Sequence, residues 1–84
     1  MVFSLIHPGA SRVFVAGDWS GWDPLSSPME LGESAGAFRL ELHLPPGRHE
    51  YKFIVDGAWR EDTENPNRVP DGCGGFNSVL RIEV

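Results

Sequence analysis

The sequence predicts an all-β fold in which two antiparallel sheets pack face to face. Three observations lead there. Short apolar runs recur at regular spacing, and the ten glycines and seven prolines of the 84 residues fall between them rather than in a linker. No window carries an apolar stripe with the 3.6-residue period of a helix. Residues 50–62, EYKFIVDGAWRED, read as a hairpin closed by a two-residue turn.

The strand candidates follow in chain order. The first spans Val2 to Ile6. In the second, Arg12 to Ala16, Val13 and Val15 alternate with Phe14. A turn-rich loop, GDWSGWDPLSSP, carries two tryptophans, and a short piece from Met29 to Leu31 pairs weakly. Ala37 to Leu44 alternates cleanly, with Phe38, Leu40, Leu42 and Leu44 on one face and Arg39, Glu41 and His43 on the other. Pro45-Pro46-Gly47 turns the chain into Arg48 to Val55. The Asp56-Gly57 turn requires positive φ at both positions, the condition that these residue types meet best. Ala58 to Asp62 then returns antiparallel, with Val55 opposite Ala58, Ile54 opposite Trp59, Phe53 opposite Arg60 and Lys52 opposite Glu61. TENPNRVPDGCGG reads as irregular. Phe76 to Val84 is the last strand, with Leu80, Ile82 and Val84 pointing inward. Strands of this length and spacing predict an immunoglobulin-like sandwich, without the Cys-Trp-Cys pattern of antibody domains. Residues 1–84 are expected to form one domain.

Composition narrows the partners. Seven basic residues stand against twelve acidic ones, a net charge of −5. Nucleic-acid binders and proteins that dock on anionic membranes need a basic patch, so neither partner is expected. A neutral partner fits. Cys73 is the one cysteine and has no mate for a disulfide or a metal site, which suits a reducing cytoplasm. MVFSLIHPG lacks a basic n-region and its apolar run stops at His7-Pro8, so no signal peptide or transmembrane segment is expected.

The register singles out the candidate site. Tyr51, Phe53 and Val55 share one face, apolar enough to be core. Lys52, Ile54 and Trp59 share the other. Trp59 either stacks on the apolar face of a sugar ring, or folds over Ile54 and caps the sheet. Of the loop tryptophans, Trp19 follows the strand directly and reads as a plug at one end of the sandwich. Trp22 reads as a second stacking platform. Lys52 either donates to sugar hydroxyls or pairs across the strands with Glu61. Asn77, near the start of the last strand, offers a donor and an acceptor to adjacent hydroxyls, or serves its own loop. Glu61, Asp62 and Glu64 do not follow a calcium-loop pattern and read as a solvated acidic turn. His7, His43 and His49 have no zinc-type spacing. DGCGG lacks the strand-to-helix context of a phosphate loop. Nothing in so short a chain walls a substrate from water, so neither catalysis nor a cofactor is expected.

VFVAGDWSGWDP, PPGRHEYKFIVDGAWRED and FNSVLRIEV together resemble the family-48 carbohydrate-binding module over almost the whole chain, from Phe3 to Val84. That group includes the glycogen-binding domain of the AMP-activated protein kinase beta subunit and the N-terminal domains of isoamylases and glycogen-branching enzymes. The resemblance implies an early-set immunoglobulin-like sandwich that binds α-1,4-linked glucan, as in glycogen, starch or maltooligosaccharide. It implies sugar contacts at Trp22, Lys52, Trp59 and Asn77. A leucine and a threonine that kinase-type members carry in the preceding loop are replaced here by the stretch Cys73-Gly74-Gly75, so both contacts are lost. Two other functions stay open. One is a docking module for a glucan-active enzyme or kinase subunit, with decayed sugar binding. The other is the N-terminal domain of a glycogen branching or debranching enzyme.

Overall fold

In the computed structural model, which describes residues 1–32 and 36–83, one long strand organises the molecule. This is β5, Gly47–Val55. Along one edge it pairs with β2, Val13–Gly17, from Val55↔Val13 to Tyr51↔Gly17. Its other edge is shared: Gly47 to Tyr51 pair with β8, Phe76–Ile82, and Phe53 to Val55 pair with β6, Ala58–Arg60. Lys52 stands at the changeover. A further strand, β7, Arg68–Pro70, flanks β8 and completes a five-stranded sheet. The second sheet has the order β1-β4-β3, with β1 at Val2–Ile6, β4 at Ala37–Glu41 and β3 at Glu30–Leu31. All pairings are antiparallel, and the two sheets form an immunoglobulin-like β-sandwich.

Alternation decides what lies between the sheets. Phe3, Val13, Val15, Phe38, Tyr51, Phe53, Val55 and Leu80 are buried together with Met29. Leu40, Leu42, Leu44 and Ile82 pack against them, as their positions predict; Val84 lies outside the described residues. The hairpin takes the expected turn, with φ of 49° at Asp56 and 87° at Gly57. The Asp56 carboxylate also accepts the backbone N–H groups of Ser11 and Arg12, bonds that hold it below the usual carboxylate range. From Ser27 to Met29 the chain runs along the free edge of β2, where Val15 N–H donates to the Ser27 carbonyl and Met29 N–H to the Val13 carbonyl. That covers an edge that would otherwise invite pairing with another chain.

Three expectations need correction. The segment read as irregular contains β7, a three-residue edge strand ending in Pro70, a residue tolerated there because an edge position need not donate to the ladder. The residues before it are anchored as well. The Tyr51 hydroxyl donates to Asp62 at 2.6 Å, Asn65 Nδ2 donates to the Tyr51 hydroxyl oxygen and the Val79 carbonyl, and Asp62 N–H donates to Ser78 Oγ. Burial, then the Asp62 carboxylate, pushes the Tyr51 phenol up. The predicted strands over 37–44 and 58–62 both end early, at Glu41 and Arg60. Finally, Ile54 is only 4% exposed although it points away from the sandwich core, because the outer face of the five-stranded sheet is partly covered.

Candidate functional site

That outer face carries three of the four candidate residues, Lys52, Trp59 and Asn77. The β5–β6 register places Ile54 beside Trp59, and the β2–β5 register places Phe14 beside Ile54 and Ala16 beside Lys52. Ser78 pairs with Tyr51 and points inward, so Asn77, one residue earlier, projects outward next to the Lys52 row. Lys52, Trp59 and Asn77 therefore share one side of one sheet. Trp59 is 46% exposed. It partners Ile54 across the strands and still leaves much of its surface to solvent.

Trp22 sits in the loop after β2, half-buried. Its backbone is left-handed, with φ of 61°, and its N–H donates to the Gly17 carbonyl at 3.0 Å. A non-glycine residue in this region stores strain, a feature that clusters at functional sites. Pro24 and Leu25, just beyond it, line an apolar groove with Phe14, Ile54 and Trp59. The Trp22 loop thus borders the Trp59 face. Trp19 takes the other role. It packs on the core, stacked on Phe3 with centroids 5.8 Å apart and edge-on to His49 at 5.9 Å.

The polar residues are held by acidic partners. Lys52 does not pair with Glu61, which bonds Arg68 instead. The Lys52 ammonium donates to Asp71 at 2.5 Å. Asn77 Nδ2 donates to Glu50 Oε1 at 3.0 Å, and Arg48 donates to the other Glu50 oxygen at 2.8 Å. The Asn77 amide, then the Arg48 guanidinium, holds the Glu50 carboxyl below its ordinary range. Glu50 could have been found in the sequence, since it lies two residues from Lys52 and shares its face. Asp71 had no such signal.

A second tie fixes the tryptophan loop. His49 is 8% exposed. Its Nε2 faces the Pro45 carbonyl at 2.9 Å and its Nδ1 faces an Asp18 carboxylate oxygen at 3.1 Å. The other Asp18 oxygen accepts the Glu50 backbone N–H. Both ring nitrogens thus face acceptors, and only the imidazolium can donate to both. The Pro45 carbonyl raises the His49 pKa above 6.5 and Asp18 adds to it, outweighing desolvation. At pH below 6.5 folded and unfolded chains both carry this proton and the stabilisation is complete. It is lost as pH rises through the folded-state value. The His49 ring-proton titration followed by NMR is expected to have its midpoint above 6.5, and Asp18→Asn to move it down. An unchanged midpoint in that variant would remove Asp18 from the account.

Comparison with known proteins identifies the family. The family described as the glycogen recognition site of AMP-activated protein kinase matches residues 1–84. The chain is 49% identical over 73 residues to the protein FLOURY ENDOSPERM 6, chloroplastic, of Oryza sativa subsp. japonica. It is 33% identical over 75 residues to the 5'-AMP-activated protein kinase subunit beta-1 of Sus scrofa, and 35% identical over 75 residues to the beta-2 subunit of Homo sapiens. These alignments cover 87%, 89% and 89% of this chain but 13%, 57% and 26% of the relatives. The chain belongs to the family of glycogen recognition sites of AMP-activated protein kinase.

Proposed function

We propose that residues 1–84 act as one carbohydrate-binding domain that holds α-1,4-linked glucan without chemical change, through Trp22, Lys52, Trp59 and Asn77. The observation that carries this reading is the half-exposed Trp59 on the same sheet face as Lys52 and Asn77, bordered by the Trp22 loop. A glucose ring offers C–H groups on its faces and hydroxyls around its rim. The indole face suits the C–H groups. Lys52 keeps two N–H donors beyond the one given to Asp71, and Asn77, with its N–H turned to Glu50, offers Oδ1 as an acceptor. An open platform of this kind binds in the range of roughly micromolar to millimolar, because a few contacts must offset the ordering of sugar and side chains. A reducing compartment that holds glucan suits the exposed Cys73 thiol. With one relative chloroplastic by name, that setting is not restricted to the cytoplasm.

The test is co-sedimentation with glycogen. Native protein is expected in the pellet and Trp59→Ala in the supernatant, with unchanged far-ultraviolet circular dichroism. Equal sedimentation of the two would overturn the reading. One observation favours docking on a kinase subunit or glucan-active enzyme: Val2 and Ile6 expose apolar surface on the opposite sheet. Absence of any tryptophan fluorescence change at millimolar maltoheptaose would favour that function instead.

A further inference from the structure

The loop between β7 and β8 has little packing of its own. Gly72 and Gly74 have φ of 84° and 88°, and a Cβ added at either would touch nothing within 4 Å. What orders the loop is Asp71. Its Oδ1 accepts the N–H groups of Cys73 at 2.7 Å and Gly75 at 3.1 Å, while its own N–H donates to the Gly75 carbonyl at 3.1 Å. Its Oδ2 accepts the Lys52 ammonium. Both side chains are largely buried, 10% exposed for Asp71 and 17% for Lys52. Gly75 lies against the pair: a Cβ there would come within 3.0 Å of Asp71 Oδ2 and 3.8 Å of Lys52 Nζ.

Building on the glucan-binding reading, we infer that Asp71 is a positioning residue of the sugar site, holding the Lys52 ammonium and the glycine-rich loop in the arrangement that meets the ligand. A free lysine on a strand samples many rotamers and loses them on binding. Lys52 has lost them already, at a changeover between β8 and β6 where its ladder partner on β2, Ala16, is too short to constrain it. The loop that Asp71 closes is followed at once by Phe76 and Asn77, so one carboxylate sets the spacing between two ligand-facing groups. Lys52, followed by the Cys73 N–H, brings the Asp71 carboxyl down to about 2, so Asp71 stays ionised at any pH near neutral.

The test is maltoheptaose titration followed by tryptophan fluorescence. Asp71→Asn keeps an oxygen for the loop N–H groups and removes the charge facing Lys52. It is expected to weaken binding about fivefold, Lys52→Met at least as much, and the double variant no more than Lys52→Met alone. Asp71→Glu retains the charge and is expected to bind more tightly than Asp71→Asn. Equal binding by native protein and Asp71→Asn overturns the inference. So does an additive loss in the double variant, the signature of a purely structural role. If Asp71→Asn fails to fold, Asp71→Glu decides: binding no tighter than Lys52→Met overturns the inference. A native chain that ignores millimolar maltoheptaose overturns the glucan reading itself, a distinct outcome.

Discussion

Phe53→Ala is expected to destabilise the protein by about 3–5 kcal/mol, the usual cost of emptying a buried aromatic site. Phe53 is 1% exposed, the middle of the three inward residues Tyr51, Phe53 and Val55. Its ring packs edge-on to Tyr51 with centroids 5.8 Å apart. Its strand neighbours are Val15 on one side and Arg60 on the other. Both neighbours are held in backbone ladders and cannot move far into the vacated volume, so a cavity persists. Small domains have stabilities of only about 5–15 kcal/mol, so the loss takes a large share of the total. Thermal denaturation is expected to show a fall of more than about 12 °C in Tm. A fall of less than about 4 °C would mean that the core repacks, contrary to this account. Glucan binding should decline only as far as the folded population does, because Phe53 points away from the platform.

The parts legible in the sequence are those governed by short-range rules. Alternation through Tyr51, Phe53 and Val55 identified the inner face, and the Asp56-Gly57 turn gave the pairs Val55↔Ala58, Ile54↔Trp59 and Phe53↔Arg60. Trp59 and Lys52 followed from that register, and Asn77 from its place in the last strand. What escaped depends on distant contacts. The predicted Lys52↔Glu61 pair fails because β6 ends at Arg60, after which Glu61 meets Arg68 and Lys52 meets Asp71, nineteen residues further along the chain. Ile54, buried on the outer face, lies between Phe14 and Trp59, and Phe14 is brought there by the pairing of β2 with β5, which periodicity along β5 does not encode. β7 was hidden because three residues, Arg68–Pro70, the last a proline, carry too little pattern to read. The left-handed backbone of Trp22 is dictated by the tight turn that follows Gly17, and tryptophan itself gives no sign of it.

Gly17→Ala is the second large effect expected, and its cause is steric alone. Gly17 has φ of −159° and ψ of 179°, an extended backbone open to any residue. The obstacle is Trp19, whose six-membered ring lies across Gly17 where a Cβ would project, well inside van der Waals contact. The ring cannot retreat freely, because Phe3 stacks against it and His49 abuts it edge-on. Overpacking of this kind costs about 1–3 kcal/mol. The same residue also anchors the loop: Ser20 Oγ donates to its carbonyl and accepts its N–H, and Trp22 N–H donates to that carbonyl as well. Displacing Trp19 therefore shifts the turn that carries Trp22, and maltoheptaose affinity should fall together with Tm. Trp19→Leu separates the two causes. If the ring is the obstacle, Gly17→Ala in that background costs almost nothing further, a non-additivity expected of residues in contact. An equal cost in both backgrounds would shift the explanation from the indole ring to the backbone of β2.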